Sequence, residues 1–383
     1  IQPNRRACAR AKGEIMNEKA LNIRQICFLF AAVLPVTRML VYPATLSFQA
    51  KNDLVLSAFI SFAAEFAVIA LLLWLAKKTD LSFFELLQNT FGNFFARAVY
   101  FLFSLYFLFS ALLPILEQRG FILQVFYENV PSFLSFIPFA AVCLYACTKG
   151  LRSIGRIADL SMPVFAVCIC VLLLLAVPEA DFTALLPVGA TGAGNIFRSA
   201  AEDLNWFNGA AYMLFFLGNF RYEQKSAVKI LSAYAIGAAI VLFFLAVFYG
   251  IFSDISILQQ NALAHISKYS TAFTSLGRID LLFVFALSLV MLFALCIPLQ
   301  LSTHCAAEAF SCKPIYPAAA IGALVLLFIL IFNQAYLEIQ TLMTQKLWYV
   351  FAFFALLLPI LALLLRKKER EKPNISANND KKE

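Results

Sequence analysis

The chain has 383 residues, of which 62% are hydrophobic and 14% charged, against about 25% charged in a soluble domain, and its mean hydropathy is +0.83. Apolar runs of about 20 residues fill nearly its whole length, so it reads as a polytopic membrane protein with no sizeable soluble domain. The net charge of +8 looks like a nucleic-acid signal, but membrane topology accounts for it below and gives no reason to expect a nucleic-acid partner.

Residues 1–15 are basic and lack an apolar core, so they do not read as a signal peptide. Met16 is expected as the natural start, and residues 1–22 read as a basic cytoplasmic segment. Span one covers about 23–50 and is interrupted at Leu34-Pro35-Val36-Thr37-Arg38. Proline removes a backbone donor and clashes with the preceding turn, and an arginine near mid-bilayer costs about 2.5–3.5 kcal/mol. Irregular backbone survives at that depth only where it is buried in protein or lines a wet cavity. The expectation is a broken helix with the ligand site at the break; the alternative is a Pro-kinked helix whose arginine reaches an interface.

Span two, about 54–76, carries Glu65 at its centre. Lys77–Arg97 mixes charges with phenylalanine and leucine and suits an amphipathic surface helix. Span three, about 98–118, ends near Pro114 and Glu117. Span four is short, about 133–148, and span five runs about 157–177. A link rich in proline and glycine, Pro178–Phe197, precedes span six, about 198–219, where Asn205, Asn208 and Gly209 interrupt the apolar run. Spans seven to ten follow at about 227–252, 276–303, 315–333 and 347–365, and the charged tail 367–383 reads as disordered.

With the N-terminus inside, the inner segments hold 23 lysines and arginines and the outer ones five. That asymmetry puts both termini in the cytoplasm and explains the basic balance. Five spans precede the 178–197 link and five follow it, so the two halves are inverted, with interrupted helices one and six in matching positions. The fold class expected is an all-α ten-helix membrane protein with a five-plus-five inverted repeat, LeuT/APC-like (about 23–177 and 198–365 within a 23–366 domain), and a midplane site.

The candidate ligand-binding residues are Val36, Thr37 and Arg38 on span one and Asn205, Trp206, Asn208 and Gly209 on span six. An opened backbone suits the carboxylate and ammonium of an amino acid. Arg38 is read either as a ligand contact, as a stand-in for a coupling cation, or as the partner of Glu65, Glu117 or Asp203. Trp206 reads as a lid or as an interfacial tryptophan. Glu65 and Glu117 are candidate proton sites or internal counter-ions. Arg156 and Asp159, three apart, can pair across a helical turn in a structural or gating role. The run Tyr100–Phe109 is assigned to packing. No nucleophile–base pair, phosphate-cradling loop or metal-ligand cluster stands out, so the sequence points to neither an enzyme nor a cofactor or metal.

Three stretches carry a resemblance. Val36–Pro43 is similar to a Gly-Thr-Gly-like break followed by Leu-x-x-Pro. Gly150–Asp159 with Pro163 is similar to a glycine, arginine, acid and proline pattern before span five. Arg278-Ile279-Asp280 is similar to an Arg-Leu-Glu opening of span eight, which places Arg278 and Asp280 among the gating or structural candidates. Together they resemble the spore germination permeases, the B-type subunits of nutrient germinant receptors within the amino acid–polyamine–organocation superfamily. The resemblance covers about residues 20–366. It implies a small nutrient ligand, such as an amino acid, held among spans one, three, six and eight. It also implies an A-type membrane subunit and a C-type lipoprotein as partners, in the inner spore membrane. Val36 and Arg38 stand where such proteins often carry glycine. A nutrient sensor is the expected function; a proton-coupled amino acid transporter is the alternative.

Overall fold

The computed structural model describes residues 21–78, 81–126, 141–220, 222–269, 280–331 and 335–361. Regular structure among them is helical, apart from one isolated bridge between Leu21 and Phe220. The helices are α1 (Ile23–Thr37), α2 (Tyr42–Ala50), α3 (Leu54–Ala76), α4 (Phe83–Phe91) and α5 (Asn93–Phe126). They continue as α6 (141–148), α7 (Leu151–Ala176), α8 (Ala193–Glu202), α9 (Gly209–Phe216), α10 (Ser226–Phe252) and α11 (Ala262–Tyr269). The last are α12 (Asp280–Phe310), α13 (Ile315–Ile331), α14 (Tyr336–Thr341) and α15 (Trp348–Leu361).

Among the described residues, five stretches are long and apolar enough to cross a membrane: Tyr42–Ala76, Asn93–Leu112, Gly155–Glu179, Ser226–Leu258 and Ala286–Phe310. The other expected spans are shorter pieces. Span one divides into α1 and α2, and span six into α8 and α9. Spans nine and ten correspond to the apolar helices Ile315–Phe328 and Trp348–Leu361. The first part of span four, Arg278, residues 1–20 and the charged tail lie outside the described residues.

The break in span one falls three residues later than the proline pattern implies. Pro35 cannot donate to the carbonyl four residues back, and the helix accommodates it with a π-turn over Leu29–Val33, closed by the Leu34 amide on Leu29 O. Helical geometry then continues to Thr37. The chain leaves the helix at Arg38–Val41 and restarts at Tyr42, where Pro43 occupies the first turn that proline tolerates. In span six, α8 tightens into a 3-10 turn at Asp203–Trp206, opens at Phe207 and Asn208, and resumes at Gly209.

Buried hydroxyls and one close backbone approach hold the broken helices in place. On α3, Ser57, Ser61 and Glu65 recur every four residues and form one face. Ser57 Oγ lies 2.6 Å from Ser199 Oγ and Ser61 Oγ donates to Ala200 O at 2.9 Å, which fixes α8 along that face. Ser104 on α5 and Ser302 on α12 each donate to the other's carbonyl, at 2.9 and 2.8 Å. Small hydroxyl residues that bond across helices suit an environment without competing water. Gly237 brings α10 against the π-turn: a Cβ there would lie 2.5 Å from Phe30 O. The expected surface helix is α4, begun by a reciprocal cap in which Ser82 Oγ accepts the Glu85 amide and Glu85 accepts the Ser82 amide. The 178–197 link is anchored by buried Asp53, which accepts from the Gly189 and Thr191 amides and the Thr191 hydroxyl.

Candidate functional site between the two broken helices

Arg38 is the residue at which α1 ends, and it is 2% exposed. Its guanidinium Nη2 lies 2.9 Å from Glu65 Oε2, and Glu65 is fully buried. Of the three carboxylates weighed as partners for Arg38, the structure pairs it with Glu65. The pair bridges the break in span six. Arg38 Nε donates to Trp206 O at 3.2 Å, a carbonyl freed by the end of the 3-10 turn. Glu65 Oε1 accepts the Gly209 amide, freed by the start of α9, at 2.6 Å. Tyr234 on α10 donates to Glu65 Oε2 at 2.6 Å. The guanidinium also lies 4.2 Å from the ring centroid of Phe207 and 5.0 Å from that of Phe62, a cation–π arrangement that offsets desolvation. The cation sits at a helix C-terminus and the carboxylate at a helix N-terminus, the orientation that the helix dipole favours.

Gly209 is required by this contact. A Cβ there would come within 2.9 Å of Glu65 Oε1 and 3.2 Å of Phe30 Cε1. Asn208 is held from both sides: it accepts a hydrogen bond from Tyr106 on α5, and its amide donates to Asn205 O at 3.2 Å.

Beside the pair lies a cavity of ≈ 40 Å³, room for about three waters at roughly 10–15 Å³ each. Thr37 and Arg38 line it from α1, Ser110 and Pro114 from α5, Asn205, Trp206, Asn208 and Tyr212 from span six, and Pro298 from α12. Met343 and Phe351 close it from the last segment. On two of its lining residues a buried polar atom, Asn205 Oδ1 and Trp206 Nε1, has no hydrogen-bond partner among the described residues. One is an acceptor and the other a donor. A second, larger cavity of ≈ 340 Å³ is lined by Phe48, Gln49, Asn195, Arg198, Ser199 and Glu202. The exposure of Phe48 and Arg198 shows that it opens to the surface.

The sequence candidates therefore separate. Thr37, Arg38, Asn205, Trp206 and Asn208 line the small cavity. Val36 is buried in the last turn of α1 and does not, and Gly209 faces Glu65 instead. Trp206 is 6% exposed, inside the protein rather than in an interfacial belt. Glu117 on α5 and Asp203 are both buried, with neither carboxylate oxygen of either residue partnered among the described residues. Asp159 does not pair with Arg156, which is exposed. It binds Arg24 Nε at 3.1 Å and Gln25 Nε2 at 3.0 Å, because the start of α1 packs across α7 where Gly155 leaves room. Asp280 opens α12.

Sequence reasoning missed Tyr106, Tyr212, Tyr234 and Phe207. Tyr106 lies inside the aromatic run assigned to packing. The available signal was a phenol at bilayer depth, which needs a partner when buried, but 41 phenylalanines mask such positions.

A family model described as spore germination protein matches residues 20–369, nearly the whole chain. No curated protein matches the chain.

Proposed function

The chain belongs to the spore germination protein family, whose members are permease-type membrane proteins, and from that premise we propose that it is the membrane subunit of a nutrient-germinant receptor. In this reading a small polar nutrient, such as an amino acid, binds between the two broken helices near the bilayer midplane and shifts the balance between two conformations. An A-type membrane subunit and a C-type lipoprotein read out that shift at the inner spore membrane, and both termini of this chain are cytoplasmic. The architecture proposed is the five-plus-five inverted repeat, with α1–α2 and α8–α9 as its matching discontinuous helices.

The observation that carries the reading is the cavity at the two breaks, two of whose lining residues hold a buried atom, Asn205 Oδ1 and Trp206 Nε1, without a partner among the described residues. A purely structural break has no use for an unpaired donor and an unpaired acceptor on the same wall, since each costs about 1–3 kcal/mol. The volume of ≈ 40 Å³ describes a closed arrangement, and a nutrient enters by displacing side chains such as Trp206. Ligand binding then has differential contacts in the closed and opened forms, which is what a conformational signal requires.

Proton-coupled amino acid transport is the second reading, and buried Glu117, without a partner among the described residues, is the observation that favours it. Spores carrying Trp206→Ala in this chain are expected to lose nutrient-triggered germination while germinating normally with a non-nutrient trigger. Purified chain in proteoliposomes is expected to show no concentrative uptake of labelled amino acids. Robust uptake by the chain alone overturns the sensor in favour of the transporter.

A further inference from the structure

We propose that the ligand is recognised through a positively charged nitrogen, and that Asp203 is the counter-ion for it. This rests on the reading above that a small polar molecule binds at the two breaks, and it names the ligand's chemical class.

The argument starts from charge. Among the described residues, three side chains of charged type are buried at the breaks: Arg38, Glu65 and Asp203. Arg38 and Glu65 neutralise each other at 2.9 Å. Asp203 is fully buried, and neither carboxylate oxygen has a hydrogen-bond partner among the described residues. Asp203 thus has no counter-charge among the described residues, and a buried carboxylate in that position must either take up a proton or gain a cation. The elements packed against the Asp203 turn offer Arg38, Tyr42, Arg198, Glu202, Lys346 and Tyr349. None of these is a spare buried cation: Arg38 is taken by Glu65, Arg198 is exposed and held by Glu202 at 2.8 Å, and Lys346 is exposed.

Geometry gives the second observation. In a 3-10 turn, residues three apart share a face, so Asp203 and Trp206 lie on one side of the turn. The Tyr42 ring faces that side, 6.0 Å from the Trp206 ring. The Tyr42 hydroxyl and Trp206 Nε1 are also buried and without a partner among the described residues. The Asp203 carboxylate and the Tyr42 hydroxyl oxygen can thus both accept from a group placed on that side, while the indole N–H, which only donates, is left to an acceptor elsewhere on the ligand. Along the chain Asp203 falls between Glu202, which lines the open vestibule, and Asn205, which lines the inner cavity.

Asp203 lines neither cavity, so an ammonium group reaches its carboxylate as Trp206 is displaced on entry. The carboxylate supplies a charge-assisted bond, and Tyr42 and Trp206 supply aromatic faces. A ligand carboxylate finds no free buried guanidinium among the described residues, since Arg38 already serves Glu65. The group recognised is therefore the amine.

The test uses the full chain in lipid nanodiscs, with thermal unfolding midpoints titrated against three probes: alanine, its decarboxylated analogue ethylamine, and its deaminated analogue propionate. Alanine and ethylamine are expected to raise the midpoint, and propionate to leave it unchanged. Asp203→Asn removes a buried charge at nearly constant shape and so is expected to fold. It should weaken both amines at least tenfold, and Asp203→Glu should restore part of that loss. Propionate binding, or amine binding unaltered in Asp203→Asn, overturns the assignment to Asp203 while leaving a ligand site at the breaks. Sodium or potassium stabilising the protein through Asp203, with no competition from ethylamine, overturns the amine in favour of an inorganic ion. No response to any of the three probes in the unsubstituted chain overturns the assignment together with the ligand site.

Discussion

Glu65→Gln is the perturbation that most directly tests how the two broken helices are held. The carboxylate accepts from Arg38 Nη2 at 2.9 Å, from the Gly209 amide at 2.6 Å and from Tyr234 at 2.6 Å. Glutamine keeps one acceptor oxygen and replaces the other with an amide nitrogen, which faces either Arg38 and Tyr234 or the Gly209 amide, donors in both cases. The substitution leaves a buried cation without its counter-ion, a loss of about 3–5 kcal/mol. Arg38→Gln leaves the opposite charge exposed to the same penalty and also frees Trp206 O. In the double variant neither charge remains, so its loss should be well below the sum, with a coupling of about 2–3 kcal/mol between the two sites. Reversible unfolding in mixed micelles, followed by tryptophan emission, measures all four corners of the cycle. Strict additivity, with a coupling under about 0.5 kcal/mol, would refute the ion pair as the element that joins the breaks.

Three further outcomes are expected. Gly209→Ala pushes a methyl group to within 2.9 Å of Glu65 Oε1, and it should destabilise the chain by about 1–3 kcal/mol and depress nutrient response more than Gly194→Ala, where a Cβ meets nothing within 4 Å; equal effects in spore germination assays would contradict the fit. Gly237→Ala meets backbone, Phe30 O at 2.5 Å, which cannot move aside as a side chain can, so it should lower the yield of folded protein and cost at least as much in the same unfolding assay. Asp53→Ala removes the acceptor for two amides and a hydroxyl in the 187–192 segment; stability should fall by about 1–3 kcal/mol and limited proteolysis should begin in that segment, whereas an unchanged cleavage pattern would show that the anchor is dispensable.

Composition and run length alone established an all-helical membrane protein, because hydrophobic stretches of bilayer length admit few other folds. Sequence also marked both interrupted helices, since proline, arginine, asparagine and glycine are costly in an apolar span and signal an irregularity. It placed the first break only within Leu34–Arg38, at whose last residue the helix ends: Pro35 itself is absorbed by a π-turn, against which α10 packs closely at Gly237. Nor could it choose a partner for Arg38 among three carboxylates, because that choice depends on which helix faces lie together. The face of α3 that presents Ser57, Ser61 and Glu65 to span six decided it. The same applies to Asp159, whose sequence neighbour Arg156 lost to Arg24 from another helix. Residue chemistry and spacing fix which groups must be satisfied inside a membrane, but only the packing of distant segments decides which group satisfies which and which is left for a ligand.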